Sequence, residues 1–129
     1  MLCVYEENRS DINHPILHEN YEILRSSKDQ SGNKLNVIKL PMPGAIGDKE
    51  GRLPASYANF YIGNKAVLVP IFGHENDAKA LDIIQHQFSD RKVIGINCSD
   101  LVYGLGTLHC ISQQQAEADI RFLKPYACA

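Results

Sequence analysis

Three absences in this sequence of 129 residues exclude whole classes of function. No apolar stretch approaches the length that a membrane-spanning helix needs. Residues 1–5 run directly into Glu6 and Glu7, with no basic flank and no long apolar segment, which is unlike a signal peptide. The formal net charge of -2 provides no excess of positive charge for nucleic acid or an anionic membrane. We therefore expect a cytoplasmic protein that binds neither nucleic acid nor membranes.

The cysteines also lack the spacing of a metal site. No Cys-x-x-Cys pair occurs, and His109 and Cys110 are adjacent rather than at the spacing of zinc ligands. The four cysteines are scattered along the chain: Cys3, Cys98, Cys110 and Cys128. Without a secretory signal, we expect free thiols in a reducing compartment, and no bound metal.

The sequence is long enough to form one domain, and strand and helix patterns alternate along it. In chain order, the patterns predict a strand over 2–5, a helix over 15–26, and strands over 35–40, 58–62 and 66–72, followed by a helix from Asn76 and a strand over 93–96. Gly63–Asn64 indicates a hairpin. Residues 44–54 are predicted to form an exposed loop, with a mobile flap beside the active site as the alternative. This alternation predicts the α/β class.

Local signals set the expected limits of these elements. Pro41 and Pro43 should stop the strand over 35–40. Asn76 should cap the second helix, with Asp77 in its first turn. The expected buried stripes are Leu17, Tyr21 and Leu24 in the first helix, and Ala80, Leu81, Ile84 and Phe88 in the second.

The most informative stretch for function is the run from Gly104 to Gln114. Gly104 and Gly106, one residue apart, can adopt positive φ and allow close approach to the backbone. Cys110 follows in a short apolar run, where a turn can hold its thiolate at the edge of a pocket. Position alone, however, does not make this thiol reactive.

The same stretch, Gly-Leu-Gly-Thr-Leu-His-Cys-Ile-Ser-Gln-Gln, resembles the nucleophile segment of the agmatine deiminase family. Three further segments resemble that family in the same order: residues 39–43, residues 52–62, and Phe72-Gly73 with residues 76–78. Four motifs in order over most of the chain make the resemblance specific. Bacterial-type peptidyl-arginine deiminases are the nearest alternative within this class.

The resemblance implies a pentein-type β/α propeller, in which strand–helix modules surround a central active site. Residues 1–129 would then be the C-terminal portion of a single such domain. The tail over 115–129 finds no counterpart in the family, so its structure is left open.

The resemblance also implies the chemistry. Cys110 would attack the guanidinium carbon of a small guanidino compound, ammonia would leave, and water would release a ureido product. With agmatine, the product is N-carbamoylputrescine, on the route to polyamines. No metal and no cofactor are implied. Tyr57 and Asn59, in the best matched upstream segment, could bind substrate with Gly104 and Gly106, although structural roles for Tyr57 and Asn59 are the alternative.

The general base is harder to place. His109 neighbours Cys110 and, on an extended strand, would point to the opposite face, which favours a packing role. The family's histidine and most of its guanidinium-binding carboxylates belong to segments that precede the matched region, and no Trp-x-Arg-Asp or Gly-His-Ile-Asp motif occurs here. The chain could therefore be a catalytically incomplete piece that acts with the missing N-terminal part of the fold or as a homo-oligomer. A redox pair of Cys98 and Cys110 is a third hypothesis, with a small buried residue as the alternative for Cys98.

Overall fold

The computed structural model describes residues 1–115, and its first unit is a parallel strand pair connected by a helix. Strand β1 (Leu2–Tyr5) pairs in parallel with β2 (Ile38–Pro41), and helix α1 (His14–Ser26) connects them. Pro15 lies in the first turn of α1, where backbone N–H groups have no intrahelical acceptor, so the N–H that proline lacks is not missed. The predicted strand–helix–strand unit is confirmed. The predicted tail from residue 116 onward, including Cys128, lies outside the described residues.

The second strand of this pair begins later than predicted and ends at Pro41, which is its last residue and lies one position beyond the predicted end. Ile38 and Met42 donate their backbone N–H groups to the carbonyls of Met1 and Tyr5 on the β1 side. Because alternate residues face the partner strand, the position of Pro41 faces away from β1, where a missing N–H costs no ladder bond.

Helix α1 covers the first sheet with the predicted stripe, but its other apolar residues remain on the surface. Leu17, Tyr21 and Leu24 are half-buried. Ile16 and Ile23 are 64% and 55% exposed. In the described part of the chain, this helix therefore presents an uncovered apolar surface.

Residues 44–54, predicted to be a loop, contain a short antiparallel hairpin instead. It consists of β3 (Gly47–Asp48) and β4 (Gly51–Arg52). Arg52 donates to both carboxylate oxygens of Asp11, at 2.8 and 2.9 Å, and so ties this hairpin to the segment before α1.

The second unit is a three-stranded sheet with one helix. Strand β5 (Tyr61–Ile62) forms the predicted hairpin with β6 (Ala66–Ile71), which pairs in parallel with β7 (Lys92–Asn97). Helix α2 (Asn76–Gln87) connects β6 to β7. Ala80 and Ile84 of its predicted stripe are fully buried.

The predicted strand over 58–62 is wrong at its first three residues. Asn59 donates its backbone N–H to the Ser56 carbonyl, and Ala58 donates its own to the Ser56 hydroxyl. A serine side chain that captures a nearby backbone donor favours a turn over a strand. The consequence is that Asn59 lies in a loop.

The start of α2 also differs from the prediction, because Asn76 is the first helical residue and not the cap. Its side chain donates to the Met42 carbonyl at 2.8 Å and so links α2 to the end of β2. Asp77 lies in the first turn, as predicted. Its carboxylate accepts from the backbone N–H groups of Phe72, Gly73 and His74.

Both units share one apolar core. Its largest members include Leu40 from the first sheet, Val67 and Val69 from the second, and Ile84 from α2. The α/β class is confirmed, whereas closure into a propeller remains a prediction. Within residues 1–115, no helix combines the length and hydropathy that crossing a bilayer would require.

Candidate active site

Cys110 lies on the surface, in a turn that follows a short 3₁₀ helix (Leu101–Gly104). The Ile111 N–H donates to the Thr107 carbonyl and the Ser112 N–H to the His109 carbonyl, so the backbone here is folded and not extended. The premise that His109 and Cys110 point to opposite faces of a strand is therefore wrong. Both residues are exposed.

In the turn that contains Gly104 and Gly106, the residue with positive φ is not one of the glycines, contrary to expectation. Neither Gly104 nor Gly106 has positive φ, and Leu105 between them adopts the left-handed conformation with φ 62. Gly106 serves close approach instead, because a Cβ there would lie 2.7 Å from the Cβ and 2.9 Å from the Sγ of Cys110. Gly104 is surrounded by open space.

The conformation of Leu105 leads to a stability prediction. A leucine in the left-handed region is strained, and its side chain is 71% exposed, so it contributes little packing. Leu105→Gly should therefore raise the free energy of unfolding by about 0.5 to 1 kcal/mol and the melting temperature by about 2 to 4 °C. Leu105→Ala keeps the strain and should show no such gain in thermal denaturation. Equal gains from both variants would contradict this explanation.

Asn59 is the residue that holds the cysteine segment in place. Its side-chain Nδ2 donates to the Sγ of Cys110 at 3.0 Å. Its Oδ1 accepts from the backbone N–H groups of His109 at 2.9 Å and of Cys110 at 3.3 Å. Its own carbonyl also accepts from the His109 N–H at 3.2 Å. One residue of the loop before β5 thus binds the sulfur and the backbone that carries it.

The surroundings of the three described cysteines separate Cys110 from the other two. The hydrogen bond from the Asn59 side chain lowers the pKa of Cys110, and a backbone hydrogen bond of Thr107 lowers it further. Burial raises the pKa of both Cys3 and Cys98. Because the thiolate is the reactive form of cysteine, its exposure and lowered pKa favour Cys110 over the two buried thiols as a nucleophile.

The other predicted site residues have structural surroundings. The Tyr57 side chain has no exposed surface, and its hydroxyl donates to Asp77 at 2.6 Å. Burial, together with that hydrogen bond, raises its pKa. In the described structure, Tyr57 therefore has no surface to offer a substrate. The 1% exposure of Cys98 agrees with the alternative of a small buried residue and not with a resolving thiol.

The remaining histidines lie in other parts of the described chain. His14 and His18 stack beside Tyr5 and line an open cavity of about 420 Å³ with Glu7, Arg9 and Lys39, and Cys110 is not among the lining residues. Within residues 1–115, no group of three or more potential ligands could hold a metal ion.

Two further residues contribute to this site, and sequence analysis did not single out the first of them, Thr107. Thr107 is 1% exposed and its backbone hydrogen bond lowers the pKa of Cys110. Gln114 donates its side-chain amide to the Ile62 carbonyl at 3.3 Å and so fixes the far side of the segment on β5. The Thr107 bond depends on how the turn before Cys110 folds, and the Gln114 bond joins positions 52 residues apart in sequence.

Known proteins share both the sequence and the structure of this region. A Lactococcus lactis protein provisionally named agmatine deiminase is 38% identical over 90% of this chain. A solved structure of the Enterococcus faecalis agmatine deiminase has a TM-score of 0.80 and 34% identity over 88% of the chain. A Porphyromonas gingivalis structure, provisionally named arginine deiminase, has a TM-score of 0.85 and 41% identity over 88%.

These relatives are much longer than this chain. The matched region is 36% of the L. lactis protein, 36% of the E. faecalis structure and 34% of the P. gingivalis structure, so the chain spans about a third of their length. The sequence model of the Porphyromonas-type peptidyl-arginine deiminases matches residues 1–116, nearly the whole chain. The predicted resemblance is thereby confirmed, and the chain belongs to the Porphyromonas-type peptidyl-arginine deiminase family.

Proposed function

We propose that this chain is the nucleophile-bearing part of a guanidine deiminase and that Cys110 is the nucleophile. The observation that carries the proposal is the state of that sulfur. It is exposed, bound by Asn59, and of lowered pKa, in the segment that resembles the family's nucleophile segment. A lowered pKa increases the thiolate fraction at a given pH, and a thiolate that is open to solvent can attack an electron-poor carbon.

The proposed reaction has two steps. The Cys110 thiolate forms a bond to the guanidinium carbon, one C–N bond breaks, and the leaving nitrogen takes a proton and departs as ammonia. Water then adds to the resulting amidino-thioether, loses its protons, and displaces the thiolate to leave a ureido product. The sum is one guanidinium and one water converted to one urea and one ammonium, without metal or cofactor.

The preferred substrate is agmatine, which gives N-carbamoylputrescine. The names of the Lactococcus and Enterococcus relatives support this choice. Peptidyl-arginine is the second candidate, because the matching family is named for it. Measuring activity separately with agmatine and with a peptidyl-arginine distinguishes the two candidates. A site enclosed around a small free amine would exclude a peptide.

The proposal requires a general acid–base and carboxylates that hold the guanidinium, which would come from another part of the enzyme. The surface of this chain supports such a partner. Tyr103, Leu105 and Ile111, on both sides of the cysteine turn, are 56%, 71% and 67% exposed. Exposed apolar residues around a nucleophile fit a surface that the remainder of the domain covers. A homo-oligomer is the alternative occupant of this surface.

The decisive experiment supplies the N-terminal two-thirds of the E. faecalis enzyme as a separate polypeptide and measures ammonia and ureido product from agmatine. We expect turnover in the mixture, and none when Cys110→Ala replaces the native chain. The native chain alone serves as the control for intrinsic activity. Size-exclusion chromatography of the chain alone and of the mixture reports whether the exposed surface binds the added part or a second copy.

Each result has a definite meaning. Turnover that survives Cys110→Ala would exclude Cys110 as the nucleophile. A stable complex without turnover, for either agmatine or a peptidyl-arginine, would contradict the deiminase proposal and favour an interaction role for this chain.

A further inference from the structure

We infer that Asn59 is the positioning residue of the proposed nucleophile, which orients the Cys110 sulfur and donates a hydrogen bond to it. The inference rests on the proposed role of Cys110, but it goes beyond that role because it assigns the control of the thiol to a specific side chain. It also replaces the expectation that Asn59 binds substrate. Three observations support it, and they concern different atoms.

The first observation is that both polar atoms of the Asn59 side chain are already engaged by the cysteine segment. Nδ2 faces the sulfur at 3.0 Å, and Oδ1 receives the His109 and Cys110 N–H groups at 2.9 and 3.3 Å. An amide has donors on one atom and an acceptor on the other, so it can satisfy a thiolate and two backbone donors simultaneously. A substrate would have to break these bonds to use the side chain.

The second observation is that hydrogen bonds within its own loop hold the backbone of Asn59 in place. Its backbone N–H donates to the Ser56 carbonyl at 3.2 Å, in a turn where the Ala58 N–H also donates to the Ser56 hydroxyl. A side chain that is carried by a fixed backbone can orient another group. The turn at residues 56–59, which interrupts the predicted strand, is therefore part of the site.

The third observation is the close approach of Gly106 to one side of the sulfur. Gly106 lies so close to Cys110 that an added Cβ would approach the sulfur to 2.9 Å. The glycine restricts the thiol on one side while the Asn59 amide binds it. With the sulfur restricted in this way, the hydrogen bond from Nδ2 favours the charged form of the thiol, in agreement with the lowered pKa of Cys110.

The test distinguishes the role of the Asn59 Nδ2 donor from that of the Oδ1 acceptor, and it does not require deiminase activity. Asn59→Asp retains an oxygen for the two backbone N–H groups but replaces the donor at the sulfur with a carboxylate oxygen. In the full chain, we expect the alkylation rate of Cys110 by iodoacetamide at neutral pH to fall by about tenfold or more, because the thiolate loses a charge-assisted hydrogen bond and gains a negative charge beside it. The rate should recover at alkaline pH, because the thiol still ionises there. Mass spectrometry of the Cys110 peptide distinguishes it from the other thiols.

A matched control introduces the same charge elsewhere. Asn20→Asp lies on α1, where the side chain is exposed, and should leave the pH profile of Cys110 unchanged. Asn59→Ala removes both functions and should shift the profile in the same direction as Asn59→Asp. If Asn59→Asp fails to fold, Asn59→Ala provides the same comparison of profiles in a neutral variant. A Cys110 profile that is unchanged in a folded Asn59 variant would overturn the inference, whatever the deiminase assay shows.

In the reconstituted enzyme, the same variants distinguish positioning from substrate binding. A positioning role predicts that Asn59→Asp lowers kcat for agmatine with little change in KM, and that kcat recovers as the pH rises. A raised KM with an unchanged pH profile would indicate a substrate contact and would refute the positioning role.

Discussion

Replacing Asp77 by alanine is expected to lower the free energy of unfolding by about 3 to 5 kcal/mol, which would leave little of the stability of a small domain. The reason is the number of donors that this carboxylate satisfies. It accepts from the Tyr57 hydroxyl and from three successive backbone N–H groups, those of residues 72–74. The Tyr57 side chain is fully buried, so its hydroxyl would lose its partner without gaining water.

Two variants separate these contributions. Tyr57→Phe removes one hydrogen bond and leaves the carboxylate with its backbone donors, so the cost should be about 1 kcal/mol. Asp82→Ala is the control on the same helix, since the Asp82 side chain is 72% exposed and its loss should change stability by less than about 0.5 kcal/mol. Chemical denaturation, monitored by circular dichroism, measures the free energy of unfolding of Asp77→Ala, Tyr57→Phe and Asp82→Ala. A loss for Asp77→Ala no greater than that for Asp82→Ala would contradict this role.

Asp77 also illustrates which aspects of the fold could be predicted. An acidic residue in the first turn of a helix is a local signal, and the prediction placed it correctly. Its second role could not be predicted, because Tyr57 lies 20 residues away in sequence and makes its contact only when the core has formed. The neighbouring Asn76 shows the opposite result. A local capping rule failed there because a tertiary acceptor, the Met42 carbonyl, binds its side chain.

The same distinction holds at the candidate site. Cys110 could be identified from sequence, because its segment has a characteristic order of residues. The bond from Asn59 to its sulfur spans 51 residues and depends on a turn where a strand was predicted. Leu105 could not be predicted in the left-handed region, since leucine rarely adopts it and two glycines flank it. Motifs thus indicated the candidate nucleophile, whereas the groups that hold its sulfur required the folded structure.

The two glycines that flank Leu105 provide the second large effect, because they look equivalent in sequence and differ in structure. Gly106→Ala would place a methyl group 2.7 Å from the Cβ of Cys110, a contact that rotation of the Cys110 side chain cannot relieve. The backbone would have to move, with an expected loss of about 1 to 3 kcal/mol in the free energy of unfolding. The movement would also separate the sulfur from Asn59, so the alkylation rate of Cys110 at neutral pH should fall as it does in Asn59→Ala.

Gly104→Ala is the matched control for this comparison. Gly104 has open space around it and no positive φ, so alanine fits without strain and should change stability by less than about 1 kcal/mol, in the stabilising direction. Thermal denaturation and the pH profile of Cys110 alkylation, measured for both variants, test whether Gly106 and Gly104 have different roles. If the two alanines behave alike, the close approach of Gly106 is not what positions the nucleophile. If only Gly106→Ala loses stability and thiol reactivity, then the second glycine is required by the position of the sulfur and the first only by the ease of forming the turn.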